Sequence, residues 1–198
     1  MNQLILTCKD FISNNHYLDY SVKRKSNGRP YVHVKHSEAT NRFILSFGKY
    51  VKRQIKEQNW IKPEKGKFVK IDAIFYLPRV DMDPSNYWKA MFDIFTKFGV
   101  WIDDNIAIEN VERVYYSKKE PRIELKIYEL DNIGIFDNEK QLRNFLDENC
   151  SKCINCLQGK RKCSTFTSGL NNFVDDFIID KNISCKNIRR NLNELQGA

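Results

Sequence analysis

At 198 residues with 41% apolar content, the chain is long enough for one well-filled domain and a small appendage, and its composition excludes a disordered or fibrous protein. A net charge of +8 and a pI near 9.1 call for a polyanionic partner, although charge alone does not separate nucleic acid from a membrane surface. No stretch approaches the roughly eighteen apolar residues of a spanning helix, and the first seven residues lack the basic start and long apolar centre of a signal peptide. A cytoplasmic protein with reduced thiols and no membrane partner is expected. The charge is unevenly placed: residues 1–130 hold 23 basic against 16 acidic side chains, a net of +7, and 131–198 hold 10 against 9, a net of +1.

Taken in order, residues 2–8 read as a first strand, with Cys8 an inert core thiol. Tyr17–Val22 and Tyr31–Val34 are strand-like runs around a basic loop with an Asn27-Gly28 turn, which predicts a hairpin. The loop's cations can reach phosphate, but a solvated loop is the commoner meaning of such a run. Ser37-Glu38-Ala39-Thr40 opens a long helix to about Asn59, with an apolar stripe of Phe43, Ile44, Phe47, Tyr50, Val51 and Ile55. Its other face carries Lys49, Lys52, Arg53 and Lys56, a row of cations suited to a DNA backbone, to which Arg79 is added. His16, His33 and His36 have no metal-ligand partners at convincing spacing.

Phe68–Leu77 has the β-branched and aromatic content of a strand, stopped by Pro78. Asp81 and Asp83 follow, two apart in a segment expected to be extended, so that both point the same way. Pro84 holds Asp83 out of helical geometry, and Ser85 is the expected N-cap of a helix from Asn86 whose apolar positions are Trp88, Met91, Phe92, Phe95 and Phe98, closed by Gly99. Trp88 and Trp101 flank this helix and are read as core rather than as stacking platforms for bases. Asp103 and Asp104 come next. Folding the helix back on its strand is expected to bring Asp104 towards Asp81 and Asp83 as an oxygen site for a hard cation. Taken without their surroundings, the same acids also fit a helix start and a turn.

Asp81-Met82-Asp83, Asn86, Lys89, Asp93 and Gly99–Ile106 resemble the signature of the RusA-type Holliday junction resolvases, roughly Asp-x-Asp-Asn-x-x-Lys, a helix, then Asp-Asp-x-x-Ile/Val. The likeness covers most of residues 1–130, and 80–106 is its diagnostic stretch. It implies a homodimeric, magnesium-dependent endonuclease that cuts four-way DNA junctions symmetrically, in DNA recombination and repair. In the family the second aspartate directly precedes the asparagine, whereas here Pro84 and Ser85 intervene. Either two residues have been inserted after Asp81 and Asp83, or Asp83 takes the first carboxylate position and Ser85 the second. Asp83, Lys89 and Asp104 hold under both alignments, with Asp81 as the replacement for the carboxylate Ser85 lacks. The resemblance thus implies Asp83 and Asp104 as magnesium ligands, Asp81 as a third and Lys89 as the catalytic cation. A reading from another class is a non-catalytic protein that binds branched DNA through a decayed acidic site, for which Ser85 is the hint.

Val111–Tyr116 and Ile123–Leu130 read as a closing antiparallel hairpin, which gives an α+β domain with a mainly antiparallel sheet packed with two helices and ending near Leu130. Asp131–Phe136 reads as a linker and Asn138–Glu148 as a helix. Residues 131–198 then hold Cys150, Cys153, Cys156 and Cys163, four of six cysteines within fourteen residues. So short a segment buries little apolar surface, and the spacing predicts a structural zinc module, with Cys185 able to replace Cys150 as a ligand. An iron–sulfur cluster and a loop of spare thiols are the competing readings. Lys160, Arg161, Lys162, Lys186, Arg189 and Arg190, the last three on an expected terminal helix, offer a second DNA contact.

Overall fold

The structure is a computed structural model that describes residues 2–64, 67–151, 153–157 and 163–188. The chain divides into two compact units, Met1–Glu129 and Leu130–Ala198.

The first unit is built on β4 (Val69–Leu77), whose residues are largely buried on both faces. A strand that is apolar on both sides needs neighbours on both edges and cover on both faces. It lies inside a four-stranded sheet of order β1-β6-β4-β5, with β1 (Gln3–Cys8), β5 (Ala107–Tyr116) and β6 (Arg122–Glu129). The β1–β6 and β6–β4 pairs are antiparallel and β4–β5 is parallel. The fold is therefore α+β with a mainly antiparallel sheet. The expected hairpin between the last two strands is not formed: β4 lies between β5 and β6. Residues close in sequence suggested a hairpin, but the doubly buried strand takes both partners, leaving the largely exposed β5 as the edge.

Two helices pack on this sheet. In α1 (Glu38–Glu57), Ser37 is the N-cap, its hydroxyl accepting from the Thr40 backbone N–H at 3.1 Å. Phe43, Ile44, Phe47 and Val51 are buried, while Tyr50 and Ile55 pack on the core edge. α2 (Trp88–Phe98) ends at Gly99 with φ of +87°, a left-handed cap that a glycine adopts without Cβ strain. The Phe98 ring covers Gly48 of α1 so closely that a Cβ there would overlap it. Trp88 and Trp101 are core residues, at 7% and 1% exposure. Cys8 is buried in β1, and burial pushes its thiol well above the ordinary range. β2 (Leu18–Arg24) and β3 (Pro30–His36) form a separate two-stranded arm, turned at Gly28 with φ of +76°, and nearly every residue of it is exposed.

In the second unit, α3 (Glu139–Phe145) runs into a π-helical turn, Leu146–Cys150. Short helices α4 (Ile154–Leu157) and α5 (Ser164–Leu170) and a small hairpin of β7 (Phe177–Ile179) and β8 (Ile183–Cys185) complete it. Residues 131–136 are not a bare linker: Ile133 and Phe136 bridge backbones around Gly134, and Phe136 is fully buried against Phe145. Arg189 and Arg190 of the expected terminal helix and the basic run 160–162 lie outside the described residues, whereas Lys186 lies in a turn after β8 and not in a helix, its Nζ donating to the Asp175 carbonyl at 2.7 Å.

Candidate active site

After Leu77 the chain bends at Pro78 and Arg79 and turns at Val80 and Asp81. Asp81 therefore does not continue an extended strand beside Asp83. It pairs back with Arg79 at 3.1 Å, both side chains about two-thirds exposed. Asp83, rather than Ser85, is the cap. Its Oδ1 accepts from the Ser85 backbone N–H at 2.9 Å and its Oδ2 from the Ser85 hydroxyl at 2.8 Å. Those two bonds, the backbone one first, hold the Asp83 carboxyl below the usual carboxylate range. With Pro84 at its first position, a single 3-10 turn (Pro84–Tyr87) follows, so α2 begins at Trp88, two residues later than the expected start. Buried Tyr87 lies beneath this cluster. Burial raises its hydroxyl, Arg79 opposes that, and Asp83 and Asp81 add to it.

Lys89, one residue into α2, places its ammonium 2.7 Å from Asp93, one helical turn on. Asp93 is bonded in turn by the Tyr17 hydroxyl. The backbone of Tyr17 is tied to the start of α1: its carbonyl accepts from Thr40 Oγ1 at 2.9 Å, and the preceding His16 carbonyl accepts from Ser37 Oγ at 2.8 Å. A capping segment thus anchors a buried tyrosine, the tyrosine fixes a carboxylate, and the carboxylate fixes the lysine. The bond to Asp93 raises the Lys89 ammonium, with further help from Asp93 and Asp104 as charges, so the lysine is a cation at neutral pH. Tyr17 is raised by burial and then by Asp93. Lys89, Asp93, Asp103, Asp104, Tyr17, His36 and Lys97 line one open cleft of about 480 Å³. Asp103 caps the short turn that presents Asp104, accepting from the Asn105 N–H at 3.1 Å.

Asp81 and Asp83 do not line that cleft. The parallel pair sets the two acidic segments apart. Val69 lies opposite Ala107 and Leu77 opposite Tyr116, so the 81–83 connection leaves one end of β4 while the 103–104 connection enters β5 at the other. A helix that folds back on its strand ends near the strand's beginning. Among the described residues, no three His, Cys, Asp or Glu side chains are arranged to hold a metal ion. Tyr17 is the site residue that the sequence did not reveal. It lies 76 residues from Asp93, and no local pattern marks it.

Lys49, Lys52, Arg53 and Lys56 are exposed along one face of α1. Arg53 also lies 3.7 Å from Glu57 and over the Tyr50 ring at 5.6 Å. No helix among the described residues is long and apolar enough to cross a membrane.

Comparison with curated proteins finds none that matches. The family model described as Endodeoxyribonuclease RusA matches residues 19–128, which include the arm, both helices, Asp81, Asp83, Lys89, Asp93 and Asp104. Its members are Holliday junction resolving endonucleases that bind branched DNA, generally with a divalent metal. With more than half of its 198 residues matched, the chain belongs to the RusA family, an endodeoxyribonuclease of the Holliday junction resolvase type.

Proposed function

We propose that the protein is a magnesium-dependent, structure-specific endonuclease that resolves four-way and related branched DNA by phosphodiester hydrolysis, in recombination and repair. Asp83 and Asp104 are its metal-ligand candidates, with Asp81 as a third, each binding with phosphate oxygens and waters rather than in one three-carboxylate cage. Lys89 is its catalytic cation. The observation that carries this reading is the Tyr17–Asp93–Lys89 chain, which holds one ammonium group beside Asp104 in an open cleft, with Lys89, Asp93 and Asp104 inside the family-matched span.

The donor set suits magnesium in one respect. The ion keeps several waters and takes one or two carboxylates plus phosphate oxygens, so a cage of three protein carboxylates is not required. Asp83 is exposed and held ionised by Ser85, and half-buried Asp104 opens on the cleft. When bound, magnesium supplies an activated water and neutralises charge on the phosphate. The chain's own part is electrostatic. Lys89, held on α2 by Asp93, meets the charge that develops on the scissile phosphate and needs no rearrangement at that moment. Lys49, Lys52, Arg53, Lys56 and Arg79 contribute salt-dependent affinity for the DNA backbone.

The test is cleavage of a synthetic four-way junction. Wild-type protein should nick it only with magnesium. Asp83→Asn and Asp104→Asn should each lower the rate by at least ~100-fold while junction binding persists. Full activity in both variants removes the assignment. Binding without any magnesium-dependent nicking by wild type would establish the non-catalytic alternative.

The same reading makes the protein a homodimer, because a junction presents two strands for symmetric cutting. The β2–β3 arm supports this. Tyr20, Val22, Val32 and Val34 share one face through the Tyr20–Val34 and Val22–Val32 pairs, and they are 69%, 75%, 62% and 48% exposed. An apolar face this open is suited to cover by a second copy. Sedimentation should give a dimer that Val22→Asp/Val32→Asp dissociates. A monomer at micromolar concentration, with and without junction DNA, contradicts it.

A further inference from the structure

We propose that the second unit is a structural zinc module in which one zinc ion is held by four of the five thiols of Cys150, Cys153, Cys156, Cys163 and Cys185. The inference is independent of the nuclease site. The five come from four segments: the π-helical turn, the approach to and body of α4, the start of α5, and β8. They line a single cavity, and none is in a disulfide. Cys156 lies close enough to Cys150 and Cys163, and Cys185 to Cys163, Cys153 and Cys150, for their thiols to act on one another.

The surroundings hold the sulfurs in place. Cys163 Sγ accepts the Phe166 backbone N–H at 3.5 Å. Asn149 is 4% exposed. It ties the π turn to β8, with its Nδ2 donating to the Phe145 carbonyl at 3.2 Å and its Oδ1 accepting from the Cys185 N–H at 3.0 Å. Buried partners of this kind are what orient metal ligands.

The core gives the physical need. Besides four cysteines, the buried cluster of this unit holds only Phe136, Phe145, Phe177 and Ile183 among the described residues. A core so small needs a cross-link, and thiols kept unbridged supply it through metal. The cavity measures about 10 Å³, a volume on the scale of one small ion. As the side chains stand, no three are arranged to ligate, so binding turns cysteines between staggered rotamers. Four thiols lose their protons as four Zn–S bonds form, and nothing is oxidised or reduced.

Full-length protein purified without added metal should carry about one zinc per chain. Cys153→Ser/Cys156→Ser leaves three thiols whichever four are used, and should lose it, while Cys8→Ser keeps it. Should the double variant fail to fold, wild-type protein reconstituted with cobalt gives the reading instead. Thiolate-to-cobalt charge-transfer absorption with tetrahedral d–d bands supports the site. Protein with far less than one zinc and no such cobalt spectrum overturns it, as does iron with acid-labile sulfide or full zinc retention in the double variant.

Discussion

The two units of the chain solve the same problem with different materials. Among the described residues, the nuclease unit has a buried cluster of 27 side chains of which one is cysteine, whereas the second unit has eight of which four are cysteine. The first is ordered by area: each of Phe75, Trp101, Phe95 and Met91 is removed from water almost completely. The second cannot draw on such area and gathers sulfur instead. Size therefore decides the type of interaction that holds a fold together, and damage to the two should be felt differently.

The most severe test removes area from the first unit. Trp101 packs edge-on against Phe92 and Phe95 at 5.4 and 5.3 Å and donates its Nε1–H to Thr96 Oγ1 at 2.8 Å. Trp101→Ala should destabilise the nuclease unit by about 3–5 kcal/mol in chemical denaturation. The zinc content proposed for the second unit should not change. Loss of metal in that variant would mean that the units do not stand on separate supports.

A smaller effect comes from the one buried carboxylate of the sheet. Asp72, 7% exposed on β4, accepts from Asn110 of β5 and Tyr128 of β6, each at 2.8 Å, and pairs with Lys70 at 3.3 Å. Burial pushes its carboxyl up, but the bonds from Asn110, Tyr128 and Lys70 outweigh this and bring it below the ordinary 3.8. A carboxyl lowered on folding adds stability above its unfolded value, and that stability is lost as pH falls through the folded one. Asp72→Ala should cost about 1–3 kcal/mol at neutral pH, and the difference from wild type should shrink below pH 3.8. Acid also sharpens the contrast between units. Protons compete for thiolates, so zinc should leave the second unit before the Asp72 contribution to the first is lost.

What could be read from the residues follows the range of the interaction. The caps and periods of α1 and α2 are local, so Ser37, Gly99 and the buried stripes stood out, and so did Lys89 and Asp104 through their motif. The partner of β6 is a matter of competition between strands: β4, fifty residues earlier, displaces β5 because both its faces are apolar. The same topology carries 103–104 away from 81–83, a separation that spacing along the chain does not show. Tyr17 and Asp93 form a pair 76 residues apart. Four cysteines announced themselves by spacing, while Cys185 joins them only through the fold of the β7–β8 hairpin.

The buried tryptophans have a practical consequence. Trp60, Trp88 and Trp101 are all the tryptophans of the chain, and every one of its nine tyrosines also precedes Leu130. Trp60 is 6% exposed and donates its Nε1–H to the Val100 carbonyl at 2.9 Å, three residues before Asp103, so one of these emitters is seated against the approach to the acidic turn. Intrinsic fluorescence thus originates in the nuclease unit alone, and the cysteine-rich unit is dark in that channel. Cobalt bound to its thiolates would colour only the second unit, so the melting of each half can be followed in one cuvette without a label.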